Sequence, residues 1–69
     1  MNDEIYLVTI EGDPARAAGF LARVGIQNVD YGEGSVSARL RADDAEAALR
    51  RVRAALGDEF TIGEVREER

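Results

Sequence analysis

The sequence predicts an α+β fold in which a four-stranded antiparallel sheet carries two helices on one face. Its apolar residues follow the order strand, helix, strand, strand, helix, strand through nearly all of the 69 residues. Residues that favour turns or helix starts stand at the junctions, as Asp13-Pro14 does before the first helix. Because both helices must return the chain to the same sheet over one face, this order predicts the ferredoxin-like βαββαβ arrangement.

The first half of the chain predicts a central strand followed by a capped helix. Residues Glu4–Glu11 are mostly β-branched, aromatic or aliphatic, which suits a strand in the middle of a sheet. Asp13 is expected to cap a helix that begins at Pro14. Gly25 stands where a left-handed C-terminal cap is expected. The apolar stripe of this helix consists of Ala17, Phe20, Leu21 and Val24.

The middle of the chain predicts a hairpin and then the second helix. A weaker strand is expected at Ile26–Tyr31, and a strand with clean alternation at Ser35–Arg41 follows a glycine-rich turn. Asp43 is expected to open the second helix, with Glu46 as its capping-box partner. The apolar stripe of this helix consists of Ala45, Ala48, Leu49, Val52 and Leu56.

A single domain is expected to span residues 1–69. It ends in a strand at Phe60–Val65 and in a charged tail, residues 66–69, that we expect to fray. The helix stripes are rich in alanine and bury little area, and a chain of this length is near the lower limit for a self-supporting core. With neither cysteine nor histidine in the sequence, disulfides and Cys/His metal sites cannot add stability. We therefore expect a homodimer.

Charge and hydropathy limit the classes of partner. The net charge of −5 argues against nucleic acid or an anionic membrane surface as a partner. No apolar run reaches the roughly 18–20 residues that a membrane span requires. The first residues are acidic, whereas a secretory signal begins with basic residues, so we expect a cytoplasmic protein.

The residue types that carry most enzyme chemistry are missing. Nucleophilic catalysis needs a base beside the nucleophile, and the sequence contains neither histidine nor lysine. The carboxylate pairs Asp43-Asp44 and Asp58-Glu59 stand at the starts of elements, where acids cap helices or solubilise turns. We therefore expect no enzyme, no catalytic residue, no metal site and no cofactor.

Small residues and turn residues of a known family recur at matching places, namely Gly12, Pro14, Gly25-Ile26, Gly34–Ser37 and Asp44–Leu49. Through them, residues 8–56 resemble the ACT domain, a small regulatory module that binds amino acids or related ligands, usually as a dimer. The resemblance implies a non-enzymatic function and ligand contacts in the loop after the first strand and at the start of the second. Carried over by position, the resemblance implies Gly12, Asp13 and Asn28 as those contacts in this sequence.

The predicted topology also gathers three acidic loops at one end of the sheet. The six carboxylates expected there are Glu11, Asp13, Asp30, Glu33, Asp58 and Glu59. Arg16 is the basic residue expected near them. A rim of one charge sign attracts a basic protein surface and repels a free carboxylate.

Three interpretations follow from the sequence. The first is an ACT-like regulatory module that self-associates and binds an amino acid or a similar small ligand. The second is a small acidic interaction module or inhibitor, which mimics nucleic acid as some phage-encoded inhibitors do and binds a basic partner through the acidic loops. The third is a designed scaffold without a biological task, because caps and turns agree so consistently with the apolar pattern.

Overall fold

The computed structural model describes residues 4–68. Over these residues it contains one sheet of four antiparallel strands in the order β2-β3-β1-β4, together with two helices. The elements are β1 (Glu4–Glu11), α1 (Pro14–Arg23), β2 (Val29–Gly32), β3 (Ser35–Ala42), α2 (Ala45–Leu56) and β4 (Thr61–Glu68). This is the predicted βαββαβ fold, with β1 and β3 in the middle of the sheet as expected. Across residues 4–68, neither helix has the length and apolarity that crossing a lipid bilayer requires.

The core lies between one face of the central strands and the two helices. β1 and β3 pair along their full lengths, from Glu4 opposite Ala42 to Glu11 opposite Ser35. Alternate side chains on this pair are buried, and both helices contact both strands and each other. The two helices therefore cover the same face. The buried strand residues are Tyr6, Val8, Ile10, Val36, Ala38, Leu40 and Ala42.

Helix α1 begins where predicted and ends at Arg23, one residue before Val24, the last residue of the predicted apolar stripe. The Asp13 side chain accepts hydrogen bonds from the backbone N–H groups of Ala15 and Arg16, at 3.1 and 3.5 Å, and Pro14 is the first helical residue. Ala17 and Leu21 are buried and Phe20 is half-buried. Val24 is 49% exposed, so its place in the stripe was wrong. The helix has already ended at Arg23, and the turn through Val24 and Gly25, with φ of +84° at the glycine, takes the valine away from the sheet.

Helix α2 starts one residue later than predicted. Asp44 is its cap, and one of its carboxylate oxygens accepts the backbone N–H of Ala47 at 2.7 Å. The prediction of Asp43 as the cap, paired with Glu46, was wrong. The reason is that β3 continues to the buried Ala42, so Asp43 connects the end of the strand to the cap and is not itself the cap. Of the predicted stripe, Ala48, Val52 and Leu56 are buried, Leu49 is half-buried and Ala45 is exposed.

The edge strands differ in length from their predictions. β2 covers Val29–Gly32 rather than Ile26–Tyr31, because Ile26 donates its N–H to the carbonyl of Leu21 and belongs to the end of α1. β4 starts at Thr61 and runs past Val65 to Glu68. Residues 66–68 pair with residues 5–7 of β1, so the predicted fraying does not hold for them. Arg69, the last residue of the predicted tail, lies outside the described residues.

Gly12 allows the loop after β1 to pass beneath an aromatic pair. The rings of Phe20 and Phe60 pack edge to face, with centroids 5.8 Å apart, and cover this end of the core. A Cβ on Gly12 would lie 2.9 Å from Cδ1 of Phe60, and the φ of Gly12 is +137°. Both the space and the backbone angle therefore require glycine here.

Gly12→Ala should lower the free energy of unfolding by about 1–3 kcal/mol, because the new methyl group meets the Phe60 ring at a strained backbone angle. Gly19→Ala is the matched control, since its Cβ would have no neighbour within 4 Å and the residue is helical. That change should raise the same free energy by about 0.5–1 kcal/mol. Urea unfolding followed by circular dichroism measures both changes. Equal effects of the two substitutions would contradict the close packing at Gly12.

Candidate functional site

The antiparallel strands place the loops at two ends of the sheet. At one end, which we call the upper end, Glu11 lies opposite both Ser35 and Thr61, and Gly32 lies opposite Ser35. At the other, lower end, β1 begins at Glu4 and β3 finishes at Ala42. Every loop belongs to one end, so this division decides which side chains share a site.

The three predicted ligand residues do not come together within one chain. Gly12 lies at the upper end, where its N–H donates to the carbonyl of Gly34 at 3.3 Å. Asn28 lies towards the lower end, where its carbonyl accepts the N–H of Arg39 at 2.8 Å. The β3 positions beside these two places, Ser35 and Arg39, are four residues or about 13 Å apart. Asp13 is at the upper end, and its carboxylate caps α1.

Five of the six predicted acidic residues lie at the upper end and are exposed. These are Glu11, Asp13, Glu33, Asp58 and Glu59, and together they are called the acidic rim. Asp30 is placed differently, because it lies within β2 opposite Ser37 and its carboxylate is 3.4 Å from Nη2 of Arg39. The structure thus places most of the predicted rim at one end. It places Asp30 on the open face of the sheet, which is the face opposite the two helices.

One ion pair reduces the charge of the acidic rim. Nη2 of Arg16 lies 2.7 Å from a carboxylate oxygen of Glu59, and both side chains are more than half exposed. Such an exposed pair contributes little to stability. It does neutralise one carboxylate, while Asp13 is engaged by the start of α1.

A cavity of about 370 Å³ opens at the lower end, where β2 is shorter than β3. β2 begins at Val29, opposite Ala38, so the outer edge of β3 from Arg39 onward has no strand beside it in the described part of the chain. The loop of residues 25–28 passes there instead. We call this cavity the lower notch. Its walls include apolar side chains and arginines, namely Ile5, Ile26, Leu40, Arg39, Arg41 and Arg51.

The three arginines of the lower notch differ in their partners. Arg39 is held by two carboxylates, with Nη2 at 3.4 Å from Asp30 and 2.9 Å from Glu68. Its Nε is buried and has no hydrogen-bond partner among residues 4–68. Arg51 donates from Nη1 to the carbonyl oxygen of Arg41 at 2.7 Å. Across the described residues, neither Arg41 nor Arg51 takes part in an ion pair.

The lower notch could not be predicted from the sequence. Arg39 and Arg41 alternate with the buried Ala38 and Leu40 along β3, and Arg51 is an exposed residue of α2, so neither local pattern indicates a shared cavity. Their convergence depends on the short β2, which leaves the end of β3 open to the loop and to α2. The one available signal was the collection of arginines in an acidic chain.

Comparisons with protein-family models, with curated proteins and with solved structures find no match to this chain. Within residues 4–68, no group of three or more histidine, cysteine, aspartate or glutamate side chains is placed to hold a metal ion. The interpretation of the site therefore depends on the geometry of the lower notch and of the acidic rim.

Tyr6 is a titratable residue of the described chain whose pKa is raised by its surroundings. Burial raises the pKa of its hydroxyl above the usual value of 10.0, and the carboxylates of Glu67, Glu4 and Asp44 raise it further. The folded protein therefore keeps the phenol proton at a pH at which the unfolded chain has released it. Stability contributed in this way is present below pH 10 and is lost as the pH rises above it.

The urea concentration at the midpoint of unfolding should decrease when the pH is raised from 9 to 11 in the wild-type protein. The reason is that the unfolded chain, in which the pKa of Tyr6 is about 10, is stabilised by releasing the phenol proton, whereas the folded protein still holds it. Tyr6→Phe should reduce this fall. Tyr31→Phe, which changes a tyrosine that is 65% exposed, serves as the control and should leave the fall in place. An identical pH dependence in wild type and Tyr6→Phe would contradict the assignment.

Proposed function

We propose that this protein is a non-enzymatic, ACT-like regulatory module that self-associates and binds a small molecule. The lower notch is the observation that supports it most directly. Its volume of about 370 Å³ falls in the range of small-ligand sites, and its walls combine apolar surface with a few polar groups. The amide side chains Gln27 and Asn28 add hydrogen-bonding groups to the arginines.

The location of the lower notch changes one part of the ACT-like expectation. Of the three residues that the resemblance implies, Asn28 lines the cavity. Gly12 and Asp13 lie at the upper end and take no part in it. The proposed ligand site of one chain thus lies at the start of β2, and the loop after β1 supports the fold.

Self-association follows from the limited size of the core. Several of the buried positions are alanines, among them Ala17, Ala38 and Ala48, so the helices approach the sheet closely while burying little area. Chains of this length are often stabilised by oligomerisation when disulfides and metals are lacking. A homodimer would bury further apolar surface, for example the half-buried Leu7 on the open face of the sheet.

A thermal-shift panel of amino acids and other small metabolites, combined with light scattering, tests this function. At about a hundred times its Kd, a ligand should stabilise the fold by about 2.7 kcal/mol and raise Tm by about 10–20 °C. Asn28→Trp, which adds bulk to the cavity wall, should abolish the shift, whereas Asp58→Trp at the upper end should preserve it. A monomer that no compound stabilises would exclude the proposal.

The acidic rim supports a second candidate, an interaction module or inhibitor that binds a basic protein. The supporting observation is the exposure of its five carboxylates at one end of the molecule. Glu33 lies in the turn between β2 and β3 and Asp58 in the loop between α2 and β4, so the exposed carboxylates come from separate loops of this end. Such complementarity affects the rate and specificity of association more than it affects affinity.

The double variant Glu33→Arg with Asp58→Arg should prevent capture of a basic, nucleic-acid-binding protein from a cell lysate, because it replaces attraction with repulsion. The control is Asp43→Arg with Glu46→Arg, exposed residues of the lower end that give the same change in net charge. Added nucleic acid should displace the captured protein. If the rim variant and the control capture it equally well, the rim is not its binding surface.

A further inference from the structure

The lower notch is positively charged within an acidic protein. Arg39 is neutralised by Asp30 and Glu68, whereas Arg41 and Arg51 have no carboxylate partner among the described residues. The chain as a whole has a net charge of −5. Among residues 4–68, the cavity is therefore lined by two arginines, Arg41 and Arg51, that no carboxylate neutralises.

The sequence around Arg51 keeps this guanidinium free of carboxylates on its own helix. Residues three and four positions away on a helix are the neighbours that pair with a side chain. For Arg51 these neighbours are all alanines, namely Ala47, Ala48, Ala54 and Ala55. Arg50, the next residue, has Glu46 at the i−4 position and does not line the cavity.

The backbone of β3 holds the Arg51 side chain at the cavity and contributes the N–H of Arg41 as a further hydrogen-bond donor. Because the N–H of Arg39 donates outward to Asn28, the main-chain groups of Arg41, two residues on, face the same outer edge. The Arg41 carbonyl accepts Nη1 of Arg51, which holds that side chain at the edge. The N–H of Arg41 faces this same outer edge, next to the Arg41 carbonyl. A guanidinium has five N–H donors, so most donors of Arg51 remain available to a ligand.

The lining also indicates which ligands the cavity rejects. Among the described residues, none that lines it is acidic. An ammonium group in the cavity would be repelled by the guanidinium groups of Arg41 and Arg51, which no carboxylate among the described residues offsets, and this repulsion costs binding energy. The half-buried Ile5, with the small exposed parts of Ile26 and Leu40, offers apolar surface to a carbon skeleton, which a bare inorganic anion does not have.

From this geometry we infer that the lower notch binds a small carboxylic acid anion without an amino group, such as a dicarboxylate or a 2-oxo acid, through Arg51 and Arg41. This inference depends on the proposed small-molecule function and specifies its ligand class. It differs from the amino acid that the ACT resemblance implies, because no acidic side chain among the described lining residues can form an ion pair with an α-ammonium group.

Calorimetry on the full 69-residue chain at low salt tests the ligand class. 2-Oxoglutarate and glutamate share a carbon skeleton and differ at the amino group, so 2-oxoglutarate should bind at least about tenfold more tightly. Succinate should also bind, while succinamide and inorganic phosphate should bind more weakly than succinate. Raising the salt concentration should weaken the binding of both dicarboxylates.

Arg51→Ala should weaken 2-oxoglutarate binding about tenfold or more, because a charge-assisted hydrogen bond is lost. Arg50→Ala is the matched control on the same helix and should leave the affinity within about twofold. Arg41→Ala, at an exposed side chain, should weaken binding as well and provides a second variant if Arg51→Ala unfolds. Circular dichroism checks the fold of each variant.

The outcomes separate this inference from the function on which it depends. Equal affinity for glutamate and 2-oxoglutarate, tighter binding of phosphate, or equal losses in Arg50→Ala and Arg51→Ala would overturn the inference. Binding of a neutral ligand or of an amino acid at Asn28, when no carboxylic acid that lacks an amino group binds, would also overturn it and would leave the proposed function in place. If no compound of any class binds, both are wrong.

Discussion

The packing of two helices against one face of β1 and β3 is the interaction on which the rest of the structure depends. Val8, Ile10 and Val36 are fully removed from solvent, and alanines on the facing helices let the backbones approach closely. Once β1 and β3 occupy the middle of the sheet, β2 and β4 can only be added at its edges. This central pair therefore determines at which end of the sheet each loop lies. It thereby determines which charged residues are gathered at each end.

The same arrangement separates two kinds of surface. The upper end collects acidic turns, whereas the lower end brings arginines from a strand and a helix to one cavity. The cavity exists because β2 has four residues and its partner β3 has eight. A difference in strand length, rather than any local motif, thus produces the feature that supports the proposed ligand site.

Much of the fold could be predicted from the sequence because alternation and helix caps are local signals. The bounds of β1 and the cap of α1 depend on residues only a few positions apart, and both were confirmed. β4 was harder to predict, because its alternation is interrupted where Val8 pairs with Val65 while Ile10 pairs with Ile62. Its last residues are charged and form a strand because β1 offers them backbone partners. The site depended on tertiary contacts throughout, since Gly12 and Asn28 lie at different ends and Arg51 meets Arg41 only across the fold.

The sequence alone determined the order of the elements, the face that each central strand buries, and the lack of histidine, lysine and cysteine. Periodicity and composition carry that information within a few residues. The tertiary structure alone decided the lengths of the edge strands, the cap at Asp44 rather than Asp43, and the convergence of the arginines at the lower notch. These features depend on which backbone groups find partners across the sheet, and those partners are distant in sequence.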